Sequence, residues 1–273
     1  DISGPNDMDR LGEYDALLIR ENTHVNDHTY RFARKAQKEG LAVMDAPDAI
    51  LKCNNKVYLA EVMEANAVPS PRTMIVQSEN RNEVATRFGL PVVLKLPDST
   101  FSRGVTKAKT PEELVQKLDE LLDESDLVIA QEYMPSDFDW RIGVLDGEPL
   151  YACKYFMAAG HWQIYNWGSD TKKHQTGDFA TMHVHECAKD IIDAAVHAVK
   201  AIVGDQGLFG VDIKEVAGKP YVIEVNECPN IDHGVEDVAL GDELYRKIIG
   251  SMKRAIERRI GITPTKGKTS IKA

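Results

Sequence analysis

The chain has 273 residues, of which 43% are hydrophobic and 28% charged, so it is long enough for one large or two medium domains with their own cores. No apolar run is long enough to span a bilayer, and the formal net charge of −10 argues against a nucleic-acid partner, because phosphate backbones require a basic surface. Four scattered cysteines without a CxxC pair predict free thiols and a cytoplasmic protein.

The N-terminal part predicts a β-α-β unit followed by a helix. The chain begins at Asp1 without an initiator Met, from which we expect a processed or truncated N-terminus. Apolar runs and turn residues predict a strand over 16–19, a helix over 29–39 and a strand over 41–44. The next helix, over 56–66, is stopped by Pro69 and Pro71.

The remaining chain alternates strands and helices in two successive blocks. Two such α+β blocks predict two lobes that meet near residues 131–136, and ligands commonly bind between lobes. The helix that begins after Thr110 is marked by a capping box and a proline at its first position. Strands are predicted over 73–76, 91–95 and 127–131, helices over 82–88, 110–122, 187–203 and 241–258, a hairpin over 139–145 and 149–155, and a long loop over 157–180.

An acidic hairpin is predicted over residues 207–226. If its turn centres on Gly218, Asp212 lies opposite Glu224, and Asn226 follows on the same face. Facing carboxylates repel each other, and a divalent cation would convert that repulsion into binding; a set of oxygen ligands suits Mg²⁺. The alternative is a half-exposed hairpin whose wet face is acidic and is softened by Lys214. The opposite face is predicted to enter the core, through Val211, Ile213, Ile223 and Val225.

Two lysines and one loop are candidates for binding phosphate. Lys95 lies in an apolar strand and must either reach outward or meet an anion. The loop 98–104 that follows is rich in hydroxyl and amide donors, although it lacks the spacing of a Walker A loop. Lys56 stands at a helix start, where the helix dipole favours an anion. The alternatives are an ordinary polar turn for the loop and a solvated side chain for Lys56.

Asp139 and Arg141 alternate on one predicted strand face, so both can point into the same cleft. A carboxylate can accept ribose hydroxyls, and a guanidinium can hold phosphate or carboxylate through two hydrogen bonds. A cross-strand ion pair is the alternative interpretation. The sequence 183–187 places two histidines and a cysteine at alternate positions, but without a fourth ligand at a recognisable spacing we predict no zinc site.

Together these motifs resemble the ATP-grasp superfamily, most closely its branch of glutathione synthases and RimK-like ribosomal-protein glutamate ligases, over roughly residues 45–260. The strongest motif is Gly210-Val-Asp-Ile with Val222-Ile-Glu-Val-Asn-Glu-Cys-Pro229, which is similar to that branch's GVDI…MEVNxSP hairpin. The resemblance implies an α+β fold of two α+β lobes with nucleotide between them. It divides the chain into a partial α/β pre-ATP-grasp segment (1–54), an N-lobe (55–132), a C-lobe (133–261) and a polar tail (262–273).

The resemblance also implies roles for individual residues. Asp212, Glu224 and Asn226 would hold Mg²⁺, with Mn²⁺ as an alternative metal, and Arg141 and Lys95 would act on the transferred phosphate. The nucleotide would be bound by Lys56, Lys95, Ser99, Ser102, Gly104, Gln131, Glu132, Tyr133, Met134, Asp139, Lys154, Gln163 and Asn166. Two departures stand out: the phosphate loop has few glycines, and in the acceptor-side stretch only Gln163 and Asn166 fall near the family's Arg and Asn.

The implied function is an ATP- and Mg²⁺-dependent carboxylate–amine ligase that forms an amide through an acyl phosphate. The resemblance leaves open whether the acceptor is an amino acid, a peptide or a protein, and whether the protein is a homo-oligomer. Its substrates would be small-molecule or peptide carboxylates and amines, with neither nucleic acid nor membrane as a partner. The loop 157–180, with Trp162 and Trp167, would form a lid. The alternatives are a non-catalytic ATP-binding regulatory module and, less favoured, a small-molecule kinase.

Overall fold

The structure, a computed structural model, describes residues 2–98, 104–166 and 176–262. Its first unit is the predicted β-α-β arrangement, in which parallel strands β1 (Ala16–Leu18) and β2 (Ala42–Met44) are joined by helix α1 (His28–Lys38). Helix α1 buries Phe32 and Ala36 against Leu11 and Leu41. These two strands form a sheet of their own, so the segment ahead of residue 47 is α/β in character.

Helix α2 (Pro47–Asn54) follows and is not predicted by the sequence pattern. Its proline, Pro47, stands at the first helical position, where the missing N–H has no partner to lose. Helix α3 (Lys56–Ala65) begins immediately afterwards, capped by the side chain of Asn55, which accepts from the amide of Tyr58. The buried side chains of α3, Leu59 and Met63, belong to the core of the larger sheet described below.

A four-stranded antiparallel sheet forms the smaller lobe. Its strands are β3 (Thr73–Val76), β4 (Val92–Lys95), β5 (Val105–Ala108) and β6 (Val128–Glu132), in the order β3-β6-β4-β5. Helices α4 (Val84–Phe88) and α5 (Pro111–Glu124) accompany it. The predicted capping box is present in part: Thr110 accepts from the amide of Glu113 at 3.2 Å, whereas the Glu113 side chain accepts from the amide of Lys109 at 2.8 Å, one residue before the cap. Strand β5 was not predicted, because its four residues follow the polar loop without an apolar run of their own.

A five-stranded antiparallel sheet forms the larger lobe, in the order β11-β10-β7-β8-β9. Helix α6 (Lys189–Ile202) packs on β10 and β11, and helix α7 (Asp242–Arg259) packs on Leu145, Leu150 and the β1–β2 unit. The strands are β7 (Phe138–Leu145), β8 (Glu148–Phe156), β9 (Phe179–Met182), β10 (Leu208–Val216) and β11 (Lys219–Glu227). Strand β9 corrects the prediction that loop extends from 157 to 180.

The acidic hairpin β10–β11 has the predicted pairing but a different turn. Ala217 and Gly218 both have positive φ and form a two-residue turn, from which regular pairing would place Asp212 opposite Ile223. A bulge beside Asp212 adds one residue to β11 and brings Asp212 opposite Glu224. The expectation that Ile223 enters the core is therefore wrong: Val222 is fully buried in its place, and Ile223 lines the cleft between the lobes.

Two further expectations concern cysteines and membranes. All four cysteines are free thiols, as the sequence predicts, and three of them are buried. Among the described residues, no helix is both long and apolar enough to cross a bilayer.

Candidate active site

A cleft with a volume of about 220 Å³ lies between the two larger sheets. Strands β4, β5 and β6 contribute to one wall, and β7, β10 and β11 contribute to the other. The structure brings most of the predicted site residues together here. Those that line the cleft are Lys56, Lys95, Gln131, Glu132, Tyr133, Met134, Asp139, Arg141, Gln163, Asp212, Glu224 and Asn226.

Arg141 and Asp212 form the first ion pair of the cleft. They lie opposite each other on β7 and β10, and the guanidinium donates two hydrogen bonds to the carboxylate, at 2.8 and 2.9 Å. Asn226 donates to the same carboxylate at 3.1 Å, so the amide is anchored beside it. Burial alone would lower the pKa of Arg141, but the Asp212 carboxylate outweighs this and raises it. The guanidinium is therefore a permanent cation in the cleft.

The Arg141 guanidinium also stacks on the ring of Tyr155, with 5.3 Å from its central carbon to the ring centroid. The Tyr155 hydroxyl donates to Glu236, a carboxylate with no exposed surface. Burial raises the pKa of Glu236, and the amide of Asp232 opposes that shift by donating to it at 2.7 Å. A chain of contacts thus supports Arg141 from the segment that follows the acidic hairpin.

Glu224 forms a second ion pair, with Lys56 at 2.9 Å. Burial alone would raise the pKa of Glu224, but Lys56 and Lys95 outweigh this, so its pKa lies below the ordinary value. The dipole of helix α3 disfavours a cation at its first residue, Lys56, and the Glu224 carboxylate supplies the anion that compensates for it.

Lys95 is 9% exposed and donates to Gln131 at 2.7 Å, and Gln131 in turn donates to Thr73 at 3.1 Å. Burial lowers the pKa of Lys95 to about 8, with Glu224 opposing the shift and Lys56 adding to it. Near neutral pH Lys95 therefore keeps a charge whose hydrogen-bond partner, Gln131, is neutral.

Asp139 is held by Lys214 at 2.5 Å, and Ser136 donates to the same oxygen at 3.2 Å. Burial raises the pKa of Asp139, although Lys214 opposes the shift. Lys214 is the residue that the sequence places beside the acidic face, and in the structure it pairs with Asp139.

The linker between the lobes forms the opposite end of the cleft. Glu132 pairs with Arg72 through two hydrogen bonds, at 3.0 and 3.1 Å, and Arg72 holds the pKa of Glu132 below its ordinary value. Tyr133 meets the ring of Trp162 edge to face at 6.0 Å, and the Lys107 ammonium lies 4.1 Å from the Tyr133 centroid and 4.7 Å from that of Trp162. Trp162, predicted as part of a lid, therefore contacts both the linker and a strand of the smaller lobe.

The donor set fits a divalent metal in kind. Asp212, Glu224 and Asn226 offer carboxylate and amide oxygens on one face of the hairpin, and hard cations prefer oxygen. Arg141 and Lys56 bind the two carboxylates in this structure, so a metal would compete with or replace these cationic groups. Within the described ranges, no group of three or more His, Cys, Asp or Glu side chains could hold a metal, so Asn226 is required to complete a set of three.

The remaining predicted residues lie elsewhere. Gly104 and Asn166 are not among the residues that line the cleft. Lys154 is also absent from it: its ammonium lies over the rings of Phe138 and Trp140, at 4.2 and 4.6 Å. Ser99, Ser102 and Trp167 fall outside the described residues.

One end of the cleft is lined by residues that the sequence does not predict as site residues. The residues there come from the N-terminal segment, the end of α2 and the end of β11, and are Asn22, Thr23, Cys53, Asn54, Glu227 and Cys228. A signal for Glu227 was available, because it directly follows Asn226 in the acidic motif. None existed for Asn22 or Thr23, which reach the cleft through contacts distant in sequence.

Comparison with known proteins identifies the family. The model of the ATP-grasp domain matches residues 53–230, which is more than half of the chain. The chain belongs to the ATP-grasp family. This ATP-grasp chain is 24% identical to a probable alpha-L-glutamate ligase of Teredinibacter turnerae, over 96% of this chain and 83% of that protein. It is 25% identical to the ribosomal protein bS6–L-glutamate ligase of Salmonella schwarzengrund, over 91% and 78%.

The glutamate-ligase relatives agree with the predicted RimK-like branch. The chain spans about half the length of another of them, the probable alpha-L-glutamate ligase of Parasynechococcus marenigrum, with 24% identity over 96% of this chain and 53% of that protein. Solved structures support the predicted fold. The D-alanine–D-alanine ligase of Bacillus anthracis superposes with a TM-score of 0.73 at 16% identity, over 93% of this chain and 84% of the other. The same enzyme complexed with ATP gives 0.70 at 16% identity, over 94% and 86%.

Proposed function

We propose that the protein is an ATP- and Mg²⁺-dependent carboxylate–amine ligase that forms an amide through an acyl phosphate. The observation that carries the proposal is the pairing of Asp212 with Glu224 beside Asn226, in one cleft with the cations of Lys56, Lys95 and Arg141. Such a set can hold a metal and a triphosphate together. Relatives named as glutamate ligases, and D-alanine–D-alanine ligases at the level of fold, support the reaction class.

The nucleotide would lie along the cleft with its base at the linker and its phosphates at the acidic hairpin. Strand β6 leads into the linker, where the backbone of Tyr133 and Met134 borders the cleft and could read adenine through its amide groups. Asp139 would accept the ribose hydroxyls, with Lys214 keeping its carboxylate oriented. The ATP complex of the B. anthracis ligase agrees with nucleotide binding by this fold.

Phosphoryl transfer requires alignment and charge neutralisation more than covalent help from the protein. The carboxylate of one substrate would attack the γ-phosphate, giving an acyl phosphate and ADP, and an amine would then displace phosphate to form the amide. Lys95 and Arg141 would place positive charge where negative charge develops. When bound at the hairpin, Mg²⁺ would supply further neutralisation of the phosphates. Trp162 and the loop around it would limit access of water to the acyl phosphate.

The test replaces single oxygens of the acidic hairpin. Asp212→Asn and Glu224→Gln should each reduce ADP formation at least about 100-fold, because a removed metal ligand costs charge stabilisation in the transition state. Asp123→Asn, on the exposed side of α5, is the matched control and should retain full activity. Circular dichroism should show folded protein in every case. Activity that survives in both hairpin variants would exclude the metal assignment.

The rival function is a regulatory module that binds ATP without turning it over. The acceptor-side stretch of the sequence departs from the family pattern, which is the observation in its favour. ADP release measured across a panel of amino acids and peptides separates the two, since binding of ATP without turnover for any acceptor would favour the module. A stable phosphorylated product in place of an amide would instead indicate a kinase.

A further inference from the structure

The proposed function leaves one end of the cleft without a role. This end is formed by Asn22, Thr23, Asn54 and Glu227, and we call it the Glu227 end. It is connected to the phosphate side, because Glu227 and Asn226 line the same cleft. A molecule bound here can therefore also reach the phosphates.

The carboxylates of the cleft have ion-pair partners except at this end. Five carboxylates line the cleft, and four of them have an ion-pair partner within 4 Å. Glu227 has none among the described residues. The matched pairs are Glu132 with Arg72, Asp139 with Lys214, Asp212 with Arg141 and Glu224 with Lys56.

Neutral donors hold the Glu227 carboxylate in place. Its Oε1 accepts from the amide of Asn54 at 2.7 Å and from the hydroxyl of Thr23. Thr23 is 2% exposed and Asn54 is 8% exposed, and Asn54 is tied to the carbonyl of Ile50 at 2.9 Å. Because both donors are fixed by the fold, the carboxylate is oriented before any ligand arrives.

The surroundings favour a positive ligand. Asp45, which is 2% exposed, adds a second carboxylate nearby, because its oxygens accept from the backbone amides of Leu208 and of Cys228, the residue after Glu227. Arg20 is nearby in space but donates to the carbonyl of Pro229 at 2.9 Å, and among the described residues it makes no ion pair with Glu227. An anionic ligand group would be repelled here, whereas a cation would complete the missing pair.

We propose that Glu227, held by Asn54 and Thr23, binds the protonated amino group of the substrate whose carboxylate is activated. The inference rests on the proposed ligase function, and it narrows the substrate class to amino acids or other molecules that carry a free amine close to their carboxylate. The cleft favours that closeness, since its volume of about 220 Å³ must hold both the amine at Glu227 and the carboxylate at the phosphates.

The experiment compares amino acids with their 2-hydroxy counterparts, in which a neutral hydroxyl replaces the ammonium at nearly the same size. Binding of the L- and D-forms of the standard amino acids is measured by calorimetry on the full chain with Mg²⁺ and a non-hydrolysable ATP analogue. We expect at least one amino acid to bind about tenfold or more tightly than its hydroxy acid, because a hydrogen bond to a charged group is lost in the latter.

The Glu227→Gln variant tests the residue itself. It keeps the shape of the side chain and an oxygen for Asn54 and Thr23, so affinity for the ATP analogue should stay within about twofold while the preference for the amino acid falls about tenfold. Glu227→Asp, which retains the charge, should keep part of the preference. Glu64→Gln, on the exposed face of α3, is the control and should retain all of it.

Three outcomes would overturn the inference: equal binding of amino and hydroxy acids, binding of no amino acid by nucleotide-loaded protein, or an undiminished preference in folded Glu227→Gln. If that variant does not fold, the wild-type comparison alone decides. ADP release distinguishes the two proposals. Selective binding of an amino acid without ADP formation would refute the ligase and support the amine site, whereas ADP formation that favours hydroxy acids would refute the amine site alone.

Discussion

Replacing Lys95 with methionine should raise the free energy of unfolding near pH 7 and should abolish nucleotide binding. Burial lowers the pKa of this lysine from 10.5 to about 8. At about 1.36 kcal/mol per pKa unit, the charged side chain costs the folded state about 3 kcal/mol near pH 7. Methionine removes this cost, but it cannot donate to Gln131 Oε1. The lost hydrogen bond offsets about 1–3 kcal/mol of the gain in stability.

The dependence of the free energy of unfolding on pH separates the cost of the buried charge from the loss of the hydrogen bond. Between about pH 8 and pH 10.5 the unfolded chain still binds the proton that folded Lys95 has released, so the wild-type free energy of unfolding rises with pH in this window. From about pH 7 to about pH 9.5 the cost of the buried charge falls by about 2 kcal/mol. The stability of Lys95→Met relative to wild type should fall by the same amount, because the hydrogen-bond loss does not titrate.

Urea unfolding of both proteins at the two pH values, followed by circular dichroism, measures this difference. Lys200→Met, which removes an exposed lysine of α6, is the control and should show no comparable change. A wild-type minus Lys95→Met difference that is constant with pH would refute the assigned burial cost. ATP binding measured on the same samples should be lost only in Lys95→Met, since the proposed phosphate contact is absent there.

Further predictions concern the support of Arg141 and the packing of β7. Tyr155→Phe should lower the free energy of unfolding by about 1–3 kcal/mol, because buried Glu236 loses a donor. Its kcat should fall less than that of Tyr155→Leu, because Tyr155→Leu also removes the ring beneath the Arg141 guanidinium. Gly143→Ala should destabilise the protein by about 1–3 kcal/mol or more in urea unfolding, because the new Cβ would lie 2.3 Å from a ring carbon of fully buried Tyr151. A wild-type midpoint for Gly143→Ala would show that the ring can move aside.

The acidic hairpin shows both the strength and the limit of prediction from sequence. The alternation of apolar and acidic residues predicts the hairpin and its acidic face, and the assumed turn on Gly218 predicts Asp212 opposite Glu224, as observed. The turn that was assumed is wrong, and the pairing is correct because a bulge compensates for the shorter turn. A bulge has no composition signal of its own, so the exposure of Ile223 could not be predicted.

Partners of charged residues were harder to predict than their positions. Asp139 and Arg141 were predicted to share a face, and each does line the cleft. Their partners, Lys214 and Asp212, come from β10, and the register between β7 and β10 depends on packing across the whole sheet rather than on local pattern. Lys154 illustrates the opposite error, since the resemblance implies a place for it in the site whereas the structure places its ammonium over two aromatic rings.

Short elements without an apolar run escaped prediction. Strands β5 and β9 have four residues each, and two or more of the residues in each are polar or exposed, so their pairing is determined by the neighbouring strands. Helix α2 escaped prediction because Pro47, at its start, is equally compatible with the end of the preceding strand. That omission also concealed Asn54, at the end of α2, and with it the Glu227 end of the cleft.

The four matched ion pairs of the cleft bear on how a catalytic cycle could close. Under the proposed function, a bound Mg²⁺ would compete with Arg141 for Asp212 and with Lys56 for Glu224, so part of its binding free energy would offset the separation of these pairs. After ADP dissociates, the same cations would pair with their carboxylates again, and this pairing would favour release of the product.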